Sequence, residues 1–211
     1  MDVERADPHF RTAYRWTRDL HLYLGLFLSP FVVLYAVSAM LLAHAWDPGG
    51  GDAREPVHRR MMVTVPEEEN SLVLAKLILA QTGLNGEVGW LDRRPREETL
   101  SFPVIRPGEE IMMRVDLKTG VTQIEQTKTG TSSALVLLHR KPGPHNVALR
   151  GNWLPLRIWA WLADATAYFL ILLSVTGFYL WLALRAERRA GLFFLGAGAL
   201  SFVVLAMAVA A

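Results

Sequence analysis

The clearest pattern in the chain is the clumping of its charged residues. Residues 20–46 and 190–211 contain no Asp, Glu, Lys or Arg, and residues 158–184 contain only Asp164. Each stretch exceeds the ~20 apolar residues that a membrane-spanning helix needs. The pattern therefore predicts three transmembrane helices, the first of which is expected to kink at Pro30.

The region between the first two apolar stretches follows a different pattern. Residues 61–66 alternate as a strand does, and residues 70–81 carry the apolar face of a helix. Four further strands, separated by turns rich in Pro and Gly, are expected at residues 87–93, 98–105, 110–116 and 121–126. One helix on an antiparallel sheet makes a small α+β domain.

Orientation in the membrane follows from the short loop before the last helix, Arg-Ala-Glu-Arg-Arg at residues 185–189. Short basic loops stay in the cytoplasm, whereas segments beyond ~60 residues are translocated largely regardless of charge. The N-terminus is then cytoplasmic, and the inserted domain and the C-terminus are extracytoplasmic. A cleavable signal peptide ending near Ala43-His44-Ala45 is the competing interpretation, but its apolar core would be far longer than the usual ~7–15 residues.

The predicted fold class is thus a membrane α-helical protein with three transmembrane helices and an inserted extracytoplasmic α+β domain. Its predicted segments are a cytoplasmic lead-in (1–19), transmembrane helix 1 (20–45), the extracytoplasmic domain (46–135), a membrane re-entry segment (136–154), transmembrane helix 2 (155–184), a cytoplasmic loop (185–190) and transmembrane helix 3 (191–211).

Composition narrows the chemistry. Of the 211 residues, 52% are hydrophobic and 20% charged, and because the charges leave three stretches long enough to span a membrane, a soluble enzyme is excluded. The chain has no cysteine, which removes disulfides, iron–sulfur clusters, thiolate zinc sites and covalently attached haem. Residues 45–152 carry fourteen acidic and fourteen basic residues. No basic patch or recognition motif indicates nucleic acid, and the bilayer is the first partner expected.

Four histidines lie at predicted membrane boundaries: His21, His44, His139 and His145. Twenty-three residues of helix at ~1.5 Å each separate His21 from His44 by about 35 Å, so the two cannot share one ligand. His44 and the re-entry segment meet at the same surface, where His44 and His139 could ligate the iron of a non-covalent b-type haem. Histidines that only anchor helix ends are the alternative, and a divalent metal at His139 and His145 is weaker because no carboxylate accompanies it.

Two ionisable residues fall in the second helix, Arg157 and Asp164, seven residues and two turns apart. An acid inside the bilayer is a candidate functional residue, here for proton relay or for contact with a cofactor propionate. The alternative places Asp164 in the interface, with Arg157 extended out of it towards water.

Four separated motifs resemble those of the PepSY-associated transmembrane (PepSY-TM) family. DLHLYLGL at residues 19–26 is similar to the family's LHRWLGL, and SAMLLAH at 38–44 is similar to TGLLLNH. VDLKTGV at 115–121 resembles the VDPxTGEV turn of the PepSY domain. LH at 138–139, followed by SVTGFYLW at 174–181, looks like LH followed by LTGLYLW. The resemblance covers residues 15–185.

This resemblance implies a PepSY-like domain and a place in the bacterial inner membrane. Family members include ferric siderophore reductases, so it also implies b-type haem bound through histidines and electron transfer to external ferric iron. By position the matching histidines are His21, His44 and His139, whereas His145 matches no family residue. The chain departs from the family at Leu22-Tyr23 and Ser38-Ala39, and it has three helices where the larger reductases have at least four.

The leading hypothesis is therefore a haem b electron-transfer protein of the inner membrane, acting on iron or a ferric siderophore. No histidine is placed to partner His21 across the bilayer, so a homodimer or a larger membrane redox complex would have to supply one. Two alternatives remain: a non-redox PepSY binding or regulatory module anchored in the membrane, and an accessory subunit of a larger redox complex.

Overall fold

The computed structural model of the chain describes residues 8–44, 55–140, 147–183 and 188–210. In chain order the elements are α1 (Pro8–Ala43), β1 (Val57–Met62), α2 (Ser71–Gln81), β2 (Glu87–Val88), β3 (Asp92–Arg94), β4 (Thr99–Arg106), β5 (Glu109–Asp116), β6 (Val121–Lys128), α3 (Gly130–His139), α4 (Leu154–Ala183) and α5 (Arg188–Ala210). A 3₁₀ turn, Val147–Leu149, precedes α4.

Three of the described helices, α1, α4 and α5, are long and apolar enough to cross a membrane. The sheet lies between α1 and α4 in the chain, so the predicted fold class of three membrane helices with an inserted α+β domain is confirmed. The chain divides into two compact units, residues 31–165, which include the sheet, and residues 1–30 together with 166–211.

The sheet is antiparallel throughout, with strand order β1-β6-β5-β4-β2 and with β3 also paired to β4. Helix α2 covers one face, because its side chains repeat apolar positions every three to four residues. Its start is capped by Asn70, whose side chain accepts hydrogen bonds from the N–H groups of Leu72 and Val73. The buried core joins α2 to alternate residues of the strands: Leu74, Ile78, Leu100, Phe102, Val104, Ile111, Met113, Val115 and Ile124.

Helix α1 carries one continuous stripe of shielded positions. Alternate spacings of four and three residues connect them, as in a heptad repeat: Phe10, Tyr14, Thr17, His21, Leu24, Leu28, Phe31, Tyr35, Ser38 and Leu42. Pro30 lies inside the helix and has no N–H for the carbonyl of Leu26. The hydroxyl of Ser29 donates to that carbonyl at 2.9 Å, which replaces the missing backbone bond.

Helix α5 contrasts with α1, because none of its described residues is buried. Large apolar side chains such as Phe193, Phe202 and Val209 are 70–89% exposed in the isolated chain. A helix that is apolar all round needs an apolar surrounding, and a lipid bilayer provides it.

Four boundaries differ from the predictions. Helix α1 begins at Pro8 rather than at residue 20, since proline suits the first helical turn and shielded positions continue through the polar lead-in. The first strand lies at Val57–Met62 instead of 61–66. It is an exposed edge strand, so its position is determined by its pairing with β6 and not by an alternation of apolar residues. The strand predicted at 87–93 is two short strands, and the segment called re-entrant begins within α3.

Candidate functional site

His139, the last residue of α3, lies against the shielded stripe of α1. Its Nδ1 is 2.9 Å from the hydroxyl of Ser38, which is fully buried. The Tyr35 ring meets the imidazole edge-on with ring centroids 5.6 Å apart, and it stacks on Trp159 of α4 at 6.2 Å. The indole of Trp159 donates to the carbonyl of Leu138 at 2.9 Å, which ties α3 to α4. We call Ser38, Tyr35, His139 and Trp159 the His139 site.

The hydrogen bonds at this site determine which imidazole nitrogen is free. Ser38 Oγ also lies 2.9 Å from the carbonyl oxygen of Tyr35, which can only accept, so the single hydroxyl proton points there. Nδ1 of a neutral His139 must then donate its proton to Ser38 Oγ. Nε2 consequently carries an exposed lone pair, the form in which histidine binds metals.

His21, on the same stripe of α1, makes an equivalent contact with α4. Its Nδ1 is 2.8 Å from the hydroxyl of Thr176, and that hydroxyl donates to the carbonyl of Leu172 at 2.8 Å. The same argument makes Nδ1 the protonated nitrogen and leaves Nε2 free. The ring lies over Gly177, where an added Cβ would be 3.2 Å from Cε1 of the imidazole. We call His21, Thr176 and Gly177 the His21 site.

The structure brings together only some of the predicted site residues. His44 is exposed at the end of α1, and no hydrogen bond or ring contact joins it to His139 in the described part of the chain. His145 lies outside the described residues. His21 belongs to a different compact unit from His139, so the two are treated as separate sites. The described residues contain no group of three or more His, Asp or Glu that could hold a bare metal ion.

The two predicted ionisable residues of α4 lie in different surroundings. Asp164 interacts electrostatically with Tyr35 and so belongs to the neighbourhood of the His139 site. The aliphatic part of Arg157 lies beside Gly151, where an added Cβ would be 3.5 Å from Cγ and Cδ of the arginine.

The hydroxyls of Ser38 and Thr176 are functional candidates that reasoning from single residues missed. In the sequence, Ser38 and Thr176 stood out only as parts of longer motifs, in the pairs Ser38-Ala39 and Thr176-Gly177. A signal did exist: Ser38 falls at a heptad position of α1, where a polar side chain in an apolar stripe needs a partner.

A second group of polar contacts ties the sheet to the start of α4. Asn152 caps the outer edge of β2, because its side-chain amide accepts from Val88 N–H at 3.0 Å and donates to Val88 C=O at 2.8 Å. The buried carboxylate of Glu87 accepts from the backbone N–H of Gly151. Burial raises the pKa of the Glu87 carboxyl, and hydrogen bonds from Gly151 and Asn152 oppose that rise. We call Glu87, Val88, Gly151 and Asn152 the sheet–helix clasp.

Comparison with known proteins agrees with this architecture. No curated protein and no solved structure matches the chain significantly. The family model described as "Putative PepSY_TM-like" matches residues 15–210, which include all three membrane helices, the sheet and both histidine sites. The chain therefore belongs to the PepSY_TM-like family of membrane proteins.

Proposed function

We propose that this protein binds b-type haem in the membrane and transfers electrons, with His139 and His21 as iron ligands. One observation carries the proposal: His21 of α1 and His139 of α3 each contact a buried hydroxyl through Nδ1, which leaves Nε2 without a hydrogen-bond partner among the described residues. Haem iron takes one imidazole nitrogen from each axial histidine, and a hydrogen bond on the other ring nitrogen fixes the ring and raises its basicity.

The surroundings of His139 suit a porphyrin. The Tyr35 ring contacts the imidazole edge-on and stacks on Trp159, so aromatic side chains line one side of His139. The hydroxyl oxygen of Tyr35 is buried and has no hydrogen-bond partner among the described residues. A buried donor without a partner is costly, so a propionate or carbonyl oxygen of a ligand would stabilise it. Haem, when bound, supplies a one-electron couple tuned by its axial ligand and by burial.

Ser38 and Thr176 act in this proposal as positioning residues. Each hydroxyl donates a hydrogen bond to a helix carbonyl and accepts one from the imidazole Nδ1–H, which holds Nε2 in a fixed direction. His44 or His145 would hold the iron together with His139, and a histidine of a second subunit would do so together with His21. Iron or a ferric siderophore outside the bacterial inner membrane is the proposed acceptor, with the sheet domain on that side.

An absorbance spectrum of the full-length protein, purified in detergent from haem-replete cells, tests the proposal. We expect a Soret band that shifts on reduction with dithionite. His139→Ala and His21→Ala should each remove part of that band, whereas His58→Ala, in the exposed strand β1, is the matched control and should leave it unchanged. His44→Ala and His145→Ala then identify the second axial ligand of the His139 haem.

Two further results bear on this function. Ser38→Ala should shift the reduction potential of the bound haem while leaving haem content largely intact, because the imidazole loses its proton acceptor but keeps Nε2. A colourless protein, or a Soret band as strong in both the His139→Ala and His21→Ala variants as in the wild-type protein, would refute haem binding at these histidines. The colourless outcome would favour the alternative of a membrane-anchored binding module.

A further inference from the structure

The face of the sheet that α2 leaves uncovered contains a basic groove of about 330 Å³. Strand register places Arg60 of β1 opposite Gln123 of β6, and Gln123 opposite Arg114 of β5. The three side chains therefore form one row across adjacent strands on the same face. His58 and Glu125 form the next row of the groove.

The charges in this groove are not balanced. Arg59, Arg60 and Arg114 line it together with a single carboxylate, Glu125. No hydrogen bond or ion pair joins the guanidinium groups of Arg60 or Arg114 to any other described residue. All four charged residues are exposed, so ligands dissolved in the surrounding solution can reach them.

Other arginines of the same sheet behave differently. Arg94 of β3 contacts the carboxylates of Asp92 and Glu97 at 3.0 and 3.3 Å, and Arg106 of β4 contacts Glu109 at 3.3 Å. Arg94 and Arg106 thus have carboxylate partners and Arg93 of β3 donates to the backbone carbonyls of Glu68 and Glu69, whereas the arginines of the groove have no partner among the described residues. That contrast makes the groove a candidate for an anion from outside the chain.

We propose that this groove binds a small soluble molecule with two or more oxyanion groups, either carboxylates or phosphates. Arginine donates paired hydrogen bonds that match the geometry of carboxylate and phosphate. Arg60 and Arg114 stand two strands apart, about 10 Å at the backbone, and the amide of Gln123 lies between them as a further donor. The volume lies at the small end of the range for small-molecule sites.

The inference does not depend on haem. The groove belongs to the sheet, and its residues are separate from the His139 and His21 sites and from the sheet–helix clasp. A colourless protein could still bind the anion, and a haem protein could fail to bind it, so the two proposals are tested separately.

Calorimetric titration of the full-length protein in nanodiscs of zwitterionic lipid is the experiment. Citrate and pyrophosphate are the probes, and acetate is the control ligand with one oxyanion group. We expect saturable binding of at least one of the two probes, much weaker binding of acetate, and a loss of affinity with added salt. Arg60→Gln and Arg114→Gln should each weaken binding about tenfold or more, since each removes a charge-assisted contact.

Arg94→Gln is the matched control variant, because it removes an arginine of the same sheet outside the groove. It should leave the affinity unchanged, and thermal unfolding should be similar for all three variants because the substituted side chains are exposed. Repeating the titration in phosphatidylglycerol nanodiscs distinguishes the source of the anion. Retained binding of the probe that bound in zwitterionic nanodiscs supports a soluble ligand, whereas its complete loss would show that lipid headgroups take the groove and would overturn the soluble assignment.

Two results would overturn the site itself. One is the absence of saturable binding for both citrate and pyrophosphate. The other is binding that Arg94→Gln weakens as much as Arg60→Gln or Arg114→Gln does, which would indicate attraction to the general charge of the sheet instead of the groove.

Discussion

Removing the hydroxyl of Ser38 is the sharpest test of the His139 site. In Ser38→Ala the imidazole Nδ1–H loses its acceptor at 2.9 Å, in a position that is fully buried. The helix itself loses little, because the Tyr35 carbonyl that the hydroxyl also contacts has a helix N–H partner available. The cost of the substitution therefore comes mainly from an unsatisfied imidazole donor.

The expected loss of stability in Ser38→Ala follows from measured ranges for such hydrogen bonds. A buried donor left without a partner costs about 1–3 kcal/mol, whereas interhelical hydrogen bonds in membrane proteins average about 0.6 and reach about 1.7 kcal/mol in double-mutant cycles. Complete burial of Ser38 favours the upper part of the second range, about 1–1.7 kcal/mol. For a chain of this length that lowers the thermal midpoint by roughly 2–7 °C.

A double-mutant cycle with His139→Phe isolates the bond. Phenylalanine keeps a ring against Tyr35 but has no N–H, so Ser38→Ala should cost little in that background. The assay is thermal unfolding of the full chain in detergent, with Ser38→Thr as the control that keeps a hydroxyl. An equal loss of stability from Ser38→Ala in the wild-type and His139→Phe backgrounds would refute the bond and the tautomer derived from it.

Three further predictions concern the sheet domain, each read from its thermal unfolding. Gly120→Ala should destabilise it by about 2–4 kcal/mol, because Gly120 has φ +74° and an added Cβ would clash with the carbonyl of Val63. A loss of stability below ~1 kcal/mol would contradict the backbone conformation described for Gly120. Asn152→Ala should cost about 2–3 kcal/mol by leaving the edge groups of Val88 unpaired, and Asn152→Asp should not restore both bonds, since a carboxylate cannot donate. Burial raises the pKa of Glu87, so the folded domain binds that proton more tightly than the unfolded chain. Stability is then lost as pH rises from about 4.3 to the raised folded value. Glu87→Gln should flatten that part of the pH profile, and an unchanged slope would rule the carboxyl out as its source.

The membrane helices were predictable because lipid imposes a simple rule. A spanning helix must be long and nearly free of charge, so stretches with at most one charged residue located α1, α4 and α5. The start of α1 was not predictable in this way, since residues 8–19 are polar and their helix depends on a stripe of shielded positions. The sheet interior followed from alternation, but the exposed edge strand β1 has no apolar face to mark it.

The candidate site was predictable only in part. His21 and His139 were identified as residue types that could bind haem, but the partner of His139 lies 101 residues away along the chain and that of His21 lies 155 away. Packing of α3 and α4 on α1 determines those pairs, and no local pattern contains that information. Asn152 was missed for the same reason, because its edge bonds to Val88 span 64 residues.

The two short motifs that contain the hydroxyls show which part of each is chemically necessary. In Thr176-Gly177 the hydroxyl holds His21 and the glycine leaves room for the ring, where a Cβ would come within 3.2 Å. In Ser38-Ala39 the hydroxyl holds His139 in the same way although the second residue has a Cβ. The hydroxyl is therefore the element that both sites share, and glycine is required only where the imidazole lies across the helix backbone. In the first helix this chain has Ser38-Ala39 where the similar family motif has Thr-Gly. The residues differ, but the hydroxyl that contacts and orients His139 is kept.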